Sequence, residues 1–251
     1  MRPAGSMPWL DRGALARPAR VRLFTFPFAG GGTSVYRSWS AALPPEVAVC
    51  PVRLPGREAR IHEPAPRDLV ALARAAGDAL RPHLDVPFAL FGHSMGALLA
   101  FELARGLLRR GDPAPRILYA SGCAAPHVGT ADAVSALSDH DFIAHLRKLG
   151  ATPAEVLASA ELLELFLPTL RADFVACERY AYAAGPPLRC RLIAIGGAAD
   201  EQVSPDQLAA WREHTQGAFD ARVLPGGHFD FLDRPAALLA QLGSDLREEA
   251  R

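Results

Sequence analysis

The tightest constraint on how this chain can fold is an apolar run that ends on a serine. Phe88-Ala89-Leu90-Phe91 passes without a spacer into Gly92-His93-Ser94-Met95-Gly96, and a helical pattern follows over residues 97–110. A continuous apolar run of this kind suits a strand covered on both faces. A strand that becomes a helix over so short a stretch must bend sharply. Glycine at 92 and 96 removes the side chains that would collide where the two elements converge. Such a bend presents the Ser94 hydroxyl above the end of a sheet, which makes Ser94 the candidate nucleophile.

The same alternation runs through the rest of the chain. Apolar runs at residues 21–26, 47–52, 117–120 and 191–195, with a shorter one at 221–224, read as further strands. Helical spacing separates them: residues 68–84 carry Leu69, Leu72, Ala76 and Leu80 behind Asp68 as N-cap, and Gly111 closes the helix over 97–110. Ser204-Pro205-Asp206 opens another helix, and residues 235–249 form the last. Strand, helix and strand in succession predict a doubly wound, mostly parallel sheet with right-handed crossovers. With the serine turn, that is an α/β-hydrolase fold.

Three regions follow. Residues 1–20, rich in Arg and Pro, are expected to be a loose N-terminal extension. Residues 21–122 and 187–251 form the core, and 123–186 interrupt it with a stretch that reads as helical throughout. Within it, 141–149 follows Ser138 as cap, and 160–182 carries a stripe of Leu162, Leu165, Phe166, Leu170, Phe174 and Tyr180. Pro168 should kink the longer helix. The stripe would pack on the core in the plainest reading. An insertion so much longer than the usual ~2–6-residue connection favours a helical lid over the site.

Composition excludes several classes of function. The 27 basic and 27 acidic residues balance, which leaves no electrostatic footprint for nucleic acid or an anionic membrane. No run approaches the ~18 apolar residues a membrane span needs, and the first 20 residues contain no signal-like segment. A cytoplasmic monomer is expected. Cys50, Cys123, Cys177 and Cys190 lie far apart without CxxC pairing, so neither a metal nor a cofactor is expected.

A serine hydroxyl needs a base, and in this fold the acid and then the histidine follow it in the chain. His127, His140, His145, His214 and His228 lie downstream of Ser94. His140 and His145 fall in the insertion and His214 ends a helix, whereas His228 occupies a loop, Pro225-Gly226-Gly227-His228-Phe229, after the last strand. His228 is therefore the candidate base. Asp200, just past the strand at 191–195, is the candidate orienting acid, with Glu201 as fallback; Asp206 reads as first-turn helix charge. The oxyanion of the tetrahedral intermediate calls for two backbone donors. The Met95 amide is one, and the loop Pro27-Phe28-Ala29-Gly30-Gly31-Gly32 offers the Ala29 amide, with Phe28 as fallback. That loop has neither the GxGxxG spacing nor the Gly-Lys-Ser/Thr ending of a phosphate cradle.

The chain resembles the type II, or editing, thioesterases that accompany polyketide and nonribosomal peptide synthases, those of rifamycin-like pathways most nearly. The resemblance spans most of residues 21–235. It rests on Phe26-Pro27-Phe28-Ala29-Gly30-Gly31, Arg53-Leu54-Pro55-Gly56-Arg57-Glu58, Gly92-His93-Ser94-Met95-Gly96 and Gly227-His228-Phe229 before Phe231-Leu232; Asp230 departs from the aromatic run expected there. The resemblance implies a helical lid and hydrolysis of stalled or aberrant acyl groups from the phosphopantetheine arm of acyl or peptidyl carrier proteins, with that arm as part of the substrate. Arg57 and Arg60 are then candidates to meet the arm's phosphate or an acidic carrier domain, against the plainer reading of solvated surface charge. Other uses of the same nucleophile are an acyltransferase and a small-molecule carboxylesterase. A non-catalytic module that binds carrier proteins is the alternative of a different class.

Overall fold

The structure, a computed structural model, describes residues 9–129 and 133–250. Six strands form one sheet: β1 (Val21–Phe26), β2 (Val47–Pro51), β3 (Phe88–His93), β4 (Ile117–Ser121), β5 (Arg191–Gly197) and β6 (Phe219–Leu224). Ten α-helices accompany them among the described residues: α1 (Arg12–Ala16), α2 (Trp39–Ala42), α3 (Leu69–Leu80), α4 (Met95–Arg110), α5 (Asp139–Leu149), α6 (Ala154–Ala158), α7 (Ala160–Glu178), α8 (Pro205–Ala209), α9 (Asp230–Asp233) and α10 (Ala236–Glu249). The strand order is β2-β1-β3-β4-β5-β6, and every adjacent pair is parallel. The chain moves from β1 outward to β2, then crosses back to β3 and proceeds to the other edge. The reversal between β1 and β3 opens a crevice outside their carboxyl ends, where a doubly wound sheet binds its ligands. Both the Pro27–Gly32 loop and the Ser94 turn leave the sheet there.

Alternation along the strands distributes the core to two faces. Phe24, Phe26, Leu90, Leu118 and Leu192 pack with α3 and α4, whereas Val21, Leu23, Phe91, Ile117 and Ile193 pack with Trp39, Leu43 and the α10 leucines. Local signals set the ends of the helices. The Asp68 side chain accepts the Ala71 amide at 2.9 Å, and Gly111 closes α4 in the left-handed region at φ 67°. Ser204 and Gln207 complete a reciprocal capping box on α8. β6 begins two residues before the run read from sequence; as an edge strand it is only half covered, so its apolar signal is diluted.

Two expectations need correction. The loose N-terminal extension does not reach residue 20. Asp11 caps α1, Leu10 is buried in the core, the Arg53 amide donates to the Trp9 carbonyl at 2.8 Å, and the Arg60 guanidinium lies 4.2 Å over the Trp9 ring. Nor is the insertion helical throughout. Among the described residues helix is confined there to α5, α6 and α7, and residues 180–187 run without regular structure before Leu188 pairs with Thr215. Gly185-Pro186-Pro187 accounts for this, because neither residue type sustains a helix. Arg105 on α4 holds this segment through the Ala183 carbonyl, and Tyr180 donates to Glu102 at 2.8 Å.

Candidate active site

Ser94 sits between β3 and α4 with φ 53° and ψ −119°, a conformation L-residues rarely adopt and one that costs on the order of 1–3 kcal/mol. The turn exists because its neighbours are glycine. A Cβ on Gly92 would run into the carbonyl of Gly96, and one on Gly96 into the carbonyl of Phe26 at the end of β1. The Ser94 amide donates to Ser121 O at 2.8 Å, which ties the turn to the end of β4. His93 and Met95 are buried on either side, while Ser94 remains partly open to solvent.

Asp200 and His228 meet. His228 Nδ1 lies 2.8 Å from Asp200 Oδ2, and Asp200 Oδ1 accepts the amides of Gln202 and Val203 at 2.8 and 3.2 Å. Burial raises the Asp200 pKa, but the His228 hydrogen bond and charge, with the two amides, outweigh it and hold the group below the usual carboxylate range. An ionised acceptor at Nδ1 puts the ring proton there and leaves the lone pair on Nε2. Nε2 is buried and has no hydrogen-bond partner among the described residues. The imidazole is boxed by rings: Phe229 at 4.6 Å and His93 at 4.8 Å between centroids, with Phe28 4.9 Å from Phe229. Since His93 precedes Ser94 in the chain, this contact brings His228 to the serine turn. His93 bonds Ser121 Oγ through Nδ1 at 3.0 Å; burial first, then His228, push its pKa well down and keep it neutral.

In the loop after β1, the Gly31 amide closes a turn onto Phe28 O at 2.9 Å, and the Gly30 amide donates to Asp173 Oδ2 of α7 at 2.7 Å. The Ala29 and Met95 amides find no acceptor among the described residues. In this loop the Gly30 and Gly31 amides are engaged, and the fallback donor, the Phe28 amide, is without an acceptor among the described residues just as Ala29 is.

The thioesterase domain family matches residues 21–246. The chain belongs to the thioesterase family. It is 44% identical over 95% of its length to a protein of Brevibacillus parabrevis called linear gramicidin dehydrogenase LgrE, covering 92% of that protein. Among solved structures, the RedJ thioesterase of the prodiginine pathway of Streptomyces coelicolor superposes with a TM-score of 0.86 at 45% identity, over 97% of this chain and 95% of that one. The type II thioesterase BorB of the borrelidin cluster gives 0.86 at 38% identity, over 98% and 100%. By kinship the thioesterase is thus an enzyme of the serine-hydrolase kind, similar to type II enzymes of peptide and polyketide pathways. These relatives lend no support to a rifamycin-like pathway in particular.

Other candidate residues are engaged elsewhere. His214 is buried, bonds His127 at 2.8 Å and packs on Phe101, and His140 is exposed on α5. Glu201 is exposed, and Asp206 sits in the first turn of α8. Arg57 and Arg60 are not solvated, and neither is free to meet a phosphate. Arg57 forms a two-pronged ion pair with Asp173 at 2.7 and 2.8 Å, and Arg60 pairs with Glu63 and donates to Arg53 O. Glu58 next to it stands at φ 49° and accepts from Thr33 Oγ1 and the Ser34 amide at 2.8 and 3.1 Å. The sequence reading missed Glu58 and Asp173. Asp173 did leave a signal: helical spacing from Phe166 and Leu170 puts this acid on the apolar stripe of α7. Among the described residues no His, Cys, Asp and Glu cluster fits a metal, and no helix is long and apolar enough to cross a membrane.

Proposed function

We propose that the thioesterase hydrolyses acyl groups from the phosphopantetheine arm of carrier proteins, with Ser94 as nucleophile, His228 as base and Asp200 as the acid that orients it. The observation that carries this is the Asp200–His228 bond, which frees Nε2 on an imidazole packed against the residue before a strained serine. Nε2 takes the Ser94 proton as Oγ attacks the thioester carbon. The amides of Ala29 and Met95 stabilise the oxyanion. When the intermediate collapses, the C–S bond breaks and the imidazolium protonates the leaving thiolate. Water then attacks the acyl-serine, giving its proton to Nε2, and Ser94 recovers it as the free acid departs. Nε2 and Oγ need to close on each other only in the substrate complex, as catalytic hydrogen bonds often do.

Residues 123–186 serve in this reading as the cover of the acyl site. Leu163, Phe166 and Leu167 pack on the insertion's own cluster of Phe142, Leu146, Leu157 and Leu170, while Leu162 is half-buried and Leu165 is 49% exposed, apolar side chains suited to loose acyl selectivity. The test is hydrolysis of acyl-carrier proteins beside matched pantetheine thioesters and oxygen esters. Free acid is expected, with carrier-bound thioesters preferred and Ser94→Ala inactive but folded. Transfer to an added thiol would indicate an acyltransferase, preference for oxygen esters a carboxylesterase. No covalent adduct with a fluorophosphonate at Ser94 would leave only a binding role.

A further inference from the structure

Helix α7 changes character at Pro168. Before it the side chains are half-buried or exposed; from Thr169 onward Thr169, Leu170, Ala172, Asp173 and Ala176 are buried. Two surfaces bury them: α5 and α6, through the cluster of Leu170 with Phe142, Leu146 and Leu157, and the catalytic edge of the core. Thr169 Oγ1 donates to Gly56 O at 2.6 Å, and Leu170 fills the space a Cβ on Gly30 would need. Asp173 does more than pack. Its Oδ2 accepts both the Gly30 amide and Arg57 Nη1, its Oδ1 accepts Arg57 Nη2, and Arg57 Nη1 also donates to Gly31 O at 3.0 Å. One ion pair therefore grips the peptide units on both sides of the Gly30-Gly31 pair, directly after Ala29. Glu58, the residue after Arg57, holds the far end of the same loop at Thr33 and Ser34.

A charge pair this deeply buried is a poor way to gain stability, since an apolar pair of similar volume often does as well or better. Its geometry fits another task. We propose that Asp173 and Arg57 are positioning residues that hold the Ala29 amide in place for the oxyanion, so that the catalytic loop is set only while the second half of α7 is docked. This rests on the serine-hydrolase reading above. The second half of α7 and the oxyanion loop are then one mechanical unit, to which α5 is joined through Arg171–Asp139 and Phe142–Phe174.

The variant that tests it is Arg57→Met with Asp173→Leu, which removes both charges and strands neither. It should melt near the wild-type temperature, yet kcat on an acyl-pantetheine thioester should fall at least ~10-fold with KM within about three-fold of wild type. Asp173→Asn keeps one acceptor for the Gly30 amide and should fall between, and it carries the test if the double variant does not fold. A residue that merely stabilised the fold would lower the melting temperature and leave kcat per folded molecule alone. Hydrogen exchange over residues 26–34 gives a readout free of catalysis and should accelerate in both variants. Wild-type kcat, or unchanged exchange, in a folded variant overturns the clamp. Absence of thioesterase activity in the wild-type chain would instead overturn the function proposed for Ser94, and exchange would still decide the clamp.

Discussion

Ser94 occupies backbone space that only its surroundings make tolerable. Gly92→Ala should therefore be among the most damaging single substitutions in the chain, because its Cβ meets backbone rather than a movable side chain. We expect a loss of roughly 4 kcal/mol or more, read as failure to accumulate folded protein or as a collapsed urea midpoint. Asp200→Asn should leave folding nearly intact but lower kcat about 10³- to 10⁴-fold, since an amide no longer fixes the imidazole tautomer. Steady-state kinetics beside circular dichroism checks this; a folded variant within tenfold of wild type would remove Asp200 from its role. At this scale the sequence was most informative where geometry forces composition. Glycines that flank a strand-to-helix turn, and a serine, acid and histidine in a set order at strand ends, leave few choices for the residues involved. Asp173 and Arg57 were not legible in that way. A charged residue reads by default as solvated, and only the fold brings residues 57 and 173 face to face.

Elements obey the sequence where their ends carry local signals and depart from it where tertiary contacts decide. Asp68, Ser138 and Ser204 each cap the helix their position announces. The segment around α1 has no periodicity to announce it, yet Trp9 and Leu10 dock on the core because Arg60 and the Arg53 amide wait for them. Leu10→Ala is expected to cost roughly 2–4 kcal/mol, as for other buried leucines, and removing residues 1–20 should lower the melting temperature measurably. Scanning calorimetry of both variants is the check; a melting temperature equal to wild type would return the segment to the status of an appendage. The inverse error, an insertion read as helical throughout 123–186 with its long helix running to Tyr182, is overruled by Gly185, Pro186 and Pro187.

For the whole molecule, the two histidines buried without charge set a dependence on pH. Burial first, then His127 and Arg105, lower the His214 pKa to about 4, and His93 also lies well below its ordinary value. The unfolded chain takes up these protons first, near pH 6.5, so stability is full above that value and declines as pH falls toward 4. The depressed carboxylates, Asp200 and Asp220 among them, add their own loss only below the ordinary carboxylate pKa. Urea midpoints from pH 7 to 4.5 should fall steadily, and less steeply in His214→Phe; an unchanged slope would mean that His214 is not held neutral. Parallel strands in a doubly wound sheet were readable from unbroken apolar runs, whereas the reversal between β1 and β3 depends on pairings no single run encodes.

The division of α7 at Pro168 also limits how such enzymes can exchange parts. A graft from a relative that replaces residues 139–168 leaves the recipient its own oxyanion loop, but must keep partners for Arg171, Leu170 and Phe174 in place of Asp139, Phe142 and Leu157. A graft cut after Glu178 imports a foreign partner for Arg57 and Gly30, and must bring its matching loops with it. Recombination, whether natural or in a laboratory, therefore has to match one of two contact sets: that of α5 and α6 if the seam lies at Pro168, that of the oxyanion loop if it lies after Glu178.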